Sequence, residues 1–146
     1  MEKILIVDDE EEVRAAVQRR LIRDGLTTDT ADCESVGVEM IASADPSYDV
    51  VLTDMSMDNG DSGLKILQEA VAKDIFSEVI VLTAYGNVSN TVECMKRGAY
   101  DYVEKNIPGV DVYDLVSLKV AQALAHRRTS VDAIRRIERL AREKGF

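Results

Sequence analysis

Cysteine and histidine are scarce in this 146-residue chain, which holds two of the first, one of the second and no tryptophan. Cys33 and Cys94 stand far apart and in no metal-ligand spacing, so they read as reduced packing residues of a cytosolic protein. The single histidine, His126, falls in a basic tail and reads as an exposed residue, not as a ligand or phosphodonor. No apolar run approaches the roughly 18 residues that a membrane span needs. The N-terminus lacks the basic segment followed by a long apolar one that marks a secretory signal. The expectation is a cytoplasmic protein without membrane contact. Positive charge is in deficit as well, with 18 Lys and Arg against 27 Asp and Glu. Hydrophobic residues make up 46% of the chain, enough to bury one core in a single domain.

What the chain does have is acid at the ends of short apolar runs. Ile4-Leu5-Ile6-Val7 runs into Asp8-Asp9, and Val50-Val51-Leu52-Thr53 runs into Asp54. A Val- and Ile-rich run without polar alternation reads as a strand covered on both faces, as in a parallel sheet between helices. Open sheets of that kind bind ligands outside the carboxyl ends of their strands, where strand order reverses. Three carboxylates are therefore expected to gather at the position where such folds do their chemistry. Close like charges repel by a few kcal/mol at intermediate dielectric, and a hard divalent cation with oxygen ligands, such as Mg²⁺, neutralises them. A simpler role also fits the pair, because an aspartate before a helix is a common N-cap; Asp9 is placed to serve as both cap and ligand.

The remaining periodicity completes an α/β alternation. Glu10 to Glu12 supply acid to a first helical turn, Val13, Ala16, Val17 and Leu21 recur at helical spacing, and Gly25 stops that helix. A weak strand follows over 26–30 and a helix over about 34–44. Leu64, Ile66, Leu67 and Val71 mark a third helix, 78–83 a buried strand, 87–97 a helix closed by Gly98, and 101–104 a short strand. From Asp111 the chain reads as helix up to about Gly145. Five alternations of strand and helix predict a parallel sheet with right-handed crossovers. Met55, Met57 and Met95 read as packing.

The motifs at the strand ends carry a resemblance. Asp8-Asp9 after the first strand, Asp54 after the third, Leu82-Thr83-Ala84 after the fourth and the run Gly98 to Lys105 (GAYDYVEK) occur in one order. Over residues 1–127 the chain resembles the receiver domains of two-component response regulators. The resemblance implies a flavodoxin-like sheet of order 2-1-3-4-5 and a signalling switch rather than an enzyme. It implies that Asp54 takes a phosphoryl group from a sensor histidine kinase. It further implies Mg²⁺ held directly by Asp9 and Asp54, through water by Asp8, and by the Ser56 carbonyl. Lys105 and Thr83 would meet the phosphoryl oxygens, and movement of Thr83 would let Tyr102 rotate inward and remodel the surface of the fourth helix and fifth strand. The chemistry suits the residues: a carboxylate forms an acyl phosphate, and phosphoryl transfer needs chiefly positioning and charge neutralisation.

Two departures qualify the match. Asp58 and Ser62 occupy positions where receivers carry proline and glycine, so 57–63 reads as an acidic loop with one inserted residue, its glycine displaced to Gly63. Asn106 replaces the proline after the active-site lysine. A non-proline cis bond costs about 2.5–4 kcal/mol, so a trans Lys105–Asn106 bond is expected, with Lys105 free to shift. These departures keep open a receiver-like interaction module that is not phosphorylated. A phosphohydrolase of the haloacid-dehalogenase type would want an aspartate two residues after Asp54, where Ser56 stands.

Charge divides along the chain. Up to Leu118 there are 10 basic and 24 acidic residues; beyond it there are 8 basic and 3 acidic. Residues 128–146 thus form a basic extension or linker, with Val131, Ile134, Ile137, Leu140 and Ala141 as an apolar stripe. Three readings of the tail stand: a linker toward an output domain, a dimerisation helix, or a nucleic-acid contact, the last without any recognisable reading motif. A homodimer would use this helix or the face of the fourth helix and fifth strand.

Overall fold

Unbroken apolar strands appear where both faces are covered. In a computed structural model of the chain, which describes residues 1–84 and 87–145, five parallel strands form one sheet in the order β2-β1-β3-β4-β5. These are β1 (Lys3–Val7), β2 (Thr27–Ala31), β3 (Val50–Asp54), β4 (Glu78–Thr83) and β5 (Asp101–Glu104). The helices between and after them are α1 (Glu11–Arg23), α2 (Glu34–Ser43), α3 (Ser62–Lys73), α4 (Val88–Lys96) and α5 (Val112–Glu143). The expected flavodoxin-like architecture and strand order are both present.

Side-chain alternation explains the absence of polar alternation in β1, β3 and β4. Ile4, Ile6, Val50, Leu52, Ile80 and Leu82 point to one face, packed with Val17 and Leu21 of α1 and Val116, Val120 and Leu124 of α5. Leu5, Val7, Val51, Val79 and Val81 point to the other, against Ile41 of α2, Ile66 and Leu67 of α3 and Cys94 of α4. The edge strand β2 reads TTDTA and buries only Ala31 fully, which is why its sequence signal is weak. Gly25 and Gly98 follow α1 and α4 with φ of +90° and +103°, the left-handed backbone that favours glycine after a helix.

The chain reverses strand order between β1 and β3, so their carboxyl ends flank the switch point. α5 continues for 32 residues without a break, capped by the Asp111 carboxylate on the Tyr113 and Asp114 amides. Its last buried residue is Leu124; most of 129–143 is exposed, including Ile134, Ile137 and Leu140. Among the described residues no helix is long and apolar enough to cross a membrane.

His126 is an exposed residue of the basic tail, as expected. Its Nδ1 lies 2.7 Å from Glu78 and its ring packs on Tyr100. Arg127 reaches Asp49 at 2.8 Å and Asp74 at 3.0 Å, and Arg128 reaches Glu2. These pairs span the long way around the sequence, so helical periodicity gave no sign of them. Both cysteines are free; Cys94 is buried with its thiol pushed up to about 11 by burial, then by Glu93. Met55 is fully buried as expected, whereas Met95 is 37% exposed.

Candidate functional site

The strand ends bring four carboxylates to one place. Oxygens of Asp8, Asp9, Glu10 and Asp54 lie within 4.8 Å of one another. Asp8 and Asp54 are buried, while Asp9 and Glu10 face solvent. One ammonium answers them: Lys105 Nζ sits 2.8 Å from Glu10, 3.1 Å from Asp8 and 3.2 Å from Asp54. Backbone pairing fixes that lysine, because the Lys105 amide donates to the Thr83 carbonyl at 2.9 Å. Among the described residues the only cis peptide bond is Asp45–Pro46, so Lys105–Asn106 is trans as expected. Asn106 has not displaced Lys105 from Asp54.

Helix α1 starts one residue later than an Asp9 cap requires. Glu10 is its N-cap and makes no side-chain cap bond; the Asp8 Oδ1 accepts from the Glu10 amide at 2.9 Å instead. Asp9 is therefore not the cap and remains in the carboxylate cluster. Glu10 was not singled out in the sequence as a site residue. Its only signal is position next to the acidic pair, since the reach of a long side chain to Lys105 depends on where the helix begins.

The electrostatics follow from crowding. Burial, and then the neighbouring charges of Asp8 and Asp9, push the Asp54 carboxyl up to about 6 despite Lys105. Burial likewise raises Asp8, against the pull of the Glu10 amide and Lys105. Asp8 Oδ2 is buried, with Lys105 Nζ 3.1 Å away as its charged neighbour. Burial disfavours the Lys105 ammonium, but the Glu10 hydrogen bond and the Asp54 and Asp8 charges outweigh it, and the net shift is upward. Four carboxylates gathered around one ammonium are a donor set that suits a hard divalent cation.

Asp58 and Asp61 are exposed and stand outside the carboxylate cluster. The displaced glycine is explained by contact: a Cβ on Gly63 would lie 3.0 Å from Met55 Cα and 3.1 Å from the Asp54 carbonyl oxygen. Gly63, not Ser62, is thus the residue that must be small for α3 to approach the end of β3. The Ser56 hydroxyl donates to the Gly60 carbonyl and accepts from the Asn87 amide.

Thr83 ends β4 beside this cluster, its register partner on β5 being Glu104. Its hydroxyl is buried and bonds Ala84 and Thr91. Tyr102 is not brought to the acids. It is 43% exposed and lines, with Thr83, Val88, Val92 and Met95, an apolar groove of about 660 Å³ between α4 and β5.

The family model of the response regulator receiver domain matches residues 4–117. Regulatory protein AtoC of Escherichia coli K12 is 38% identical over 103 residues, covering 70% of this chain and 22% of its own length. Response regulator protein PilR of Pseudomonas aeruginosa is 33% identical over 132 residues, covering 90% of this chain and 28% of its own. The chain spans about a quarter of the length of these two relatives. A response regulator receiver domain protein from Clostridium thermocellum superposes with a TM-score of 0.77 at 32% identity, covering 88% of this chain and 98% of that one. NtrX from Brucella abortus, in complex with ADP, gives 0.77 at 26%, covering 91% and 29%. With the sheet order, the strand-end acids and these matches in agreement, the chain belongs to the response regulator receiver domain family.

Proposed function

We propose that this domain is a phosphoacceptor switch: a sensor histidine kinase in the cytoplasm donates a phosphoryl group to Asp54, and the domain acts as a regulator, not an enzyme. One observation carries the reading, the confinement of Asp54 between a lone ammonium and three further carboxylates. An Asp54 carboxylate oxygen attacks phosphorus, the P–N bond to the donor imidazole breaks, and the leaving nitrogen takes up a proton. The product is an acyl phosphate on Asp54. Lys105 is already 3.2 Å from Asp54 and meets a phosphoryl oxygen as a compact cation. Asp8, Asp9 and Asp54 together with the Ser56 carbonyl would hold Mg²⁺, which supplies the positive charge that keeps Asp54 ionised and neutralises the phosphoryl oxygens. Thr83 reorients its hydroxyl toward the phosphoryl group, and Tyr102 leaves its exposed position as the α4–β5 groove changes. That gives two surfaces whose populations the phosphoryl group shifts.

Residues 1–127 form the receiver and 128–146 the basic extension in this reading, since Arg127 is the last residue bound to both the α2–β3 and the α3–β4 connections. Either the extension or the α4–β5 groove is the homodimer surface. A docking module that is never phosphorylated is favoured by one observation, the apolar groove already open beside Tyr102. Intact mass after incubation with a small acyl-phosphate donor separates the readings. A Mg²⁺-dependent phosphoryl adduct, absent from Asp54→Asn, is expected. No adduct despite measurable Mg²⁺ binding would leave the docking module as the function.

A further inference from the structure

Polar side chains at the start of α4 reach other parts of the molecule. Asn87 is the N-cap residue, yet it makes no side-chain cap bond. Its Nδ2 reaches across to Ser56 Oγ at 3.1 Å. Asn90 Nδ2 donates at 3.0 Å to the Gly60 carbonyl, which also accepts the Ser56 hydroxyl at 3.0 Å. Both residues thereby bind the β3–α3 loop, which follows directly on Asp54. Thr91 is 6% exposed, a buried hydroxyl at a helix position facing the sheet. A hydroxyl there costs stability unless it is hydrogen-bonded.

Proton accounting shows what Thr91 does. Its Oγ1 lies 2.7 Å from the Asn87 carbonyl oxygen and 3.2 Å from Thr83 Oγ1. It has one proton, and the carbonyl can only accept, so the shorter contact claims that proton. The Thr83 proton is then shared between the Thr91 oxygen and the Ala84 carbonyl oxygen, 3.2 Å away. Of these two acceptors, the Thr91 oxygen belongs to α4.

We infer that Thr91 is a positioning residue: its oxygen holds the Thr83 hydroxyl on the α4 side, and with Asn87 and Asn90 it ties the first turn of α4 to both segments that flank Asp54. The inference rests on the reading of Asp54 and Thr83 given above. A phosphoryl oxygen on Asp54 competes for the one Thr83 proton, and winning it breaks the Thr83–Thr91 link. Thr91 keeps its bond to Asn87, so no buried hydroxyl is stranded by the exchange. The difference between the two states is about one hydrogen bond, small enough to be reversed when the phosphoryl group leaves.

Amide hydrogen exchange across α4 in the full chain tests the tie, with Thr91→Val removing the hydroxyl at constant shape and Thr91→Ser keeping it. Without phosphodonor, Thr91→Val is expected to exchange its first-turn α4 amides at least about fivefold faster than the parent, since it loses the contacts to both Asn87 and Thr83. Thr91→Ser should match the parent. After treatment with an acyl-phosphate donor and Mg²⁺, the parent's α4 amides should speed up and those of Thr91→Val should gain little more. Equal donor-free exchange in parent and Thr91→Val overturns the inference, as does a Thr91→Ser protein that behaves like Thr91→Val. Should Thr91→Val fail to fold, Asn90→Ala carries the test: faster α4 exchange supports the tie and unchanged exchange refutes it. A parent whose intact mass shows no phosphoryl adduct sinks the reading of Asp54, while the donor-free comparison still decides whether the tie exists.

Discussion

Asp54 is an ionisable group placed where ionising is costly. Burial, and then Asp8, push its carboxyl up to about 6 against the pull of the nearby lysine. The metal-free protein therefore carries a repulsion that the unfolded chain does not, and Asp54→Ala should melt higher than the parent when Mg²⁺ is chelated. Adding Mg²⁺ should raise the melting temperature of the parent much more than that of the variant; equal shifts in thermal melts would sink the cation site. Gly63→Ala tests the neighbouring backbone. Its new Cβ meets Met55 Cα and the Asp54 carbonyl, which cannot swing aside as a side-chain tip can. A loss of about 1–3 kcal/mol in urea unfolding is expected, together with slower phosphoryl uptake. Asp8, Asp9 and Asp54 were legible as a group because they follow apolar strand runs, and strand ends in a parallel sheet converge; Lys105, after the polar strand DYVE, was legible only through the family motif. Glu10, Thr91, Asn87 and Asn90 were not, since their parts depend on side-chain reach across elements that sequence spacing does not encode.

Among the elements, α5 is the one whose energetics are least local. Asp74 accepts from the Phe76 amide, Ser47 and Arg127, and these bonds overcome burial to hold its carboxyl below the usual range. Stabilisation from a lowered acid is present above the unfolded pKa of about 3.9 and fades as pH falls through the lower folded value. Arg127→Met should cost about 2 kcal/mol at pH 7, because Asp49 and Asp74 lose a partly buried partner. That cost should shrink in acid below pH 4, as urea midpoints for parent and variant would show; a deficit independent of pH would refute the ion-pair account. Strands β1, β3 and β4 were readable from their unbroken apolar runs, and α5 as one long helix from Asp111 with an apolar stripe over 131–141. The clamp at 126–128 was not readable, for its partners Glu78, Asp49, Asp74 and Glu2 lie on other elements far back in the sequence.

At the scale of the whole molecule, charge and shape are polarised together. The acidic body carries a tail whose Arg135, Arg136, Arg139 and Arg142 fall to one side of the helix while Ile134, Ile137 and Ala141 fall to the other, by the geometry of 3.6 residues per turn. Two such tails can meet along the apolar side without bringing their arginines face to face. Removing residues 129–146 should weaken any dimer seen by sedimentation and leave Mg²⁺ binding unchanged; a dimer of undiminished strength would rule out the tail as its surface.

An uninterrupted helix transmits phase as well as distance. Because α5 passes from the core through the Arg127 clamp to Glu143 with no break, the compass bearing of its tip is set at the clamp. Each residue inserted after Arg128 would turn everything beyond it by about 100°, while a seven-residue insertion would restore the bearing to within about 20°. Whatever is held at the tip should thus respond to insertions in a cycle, not in proportion to their length.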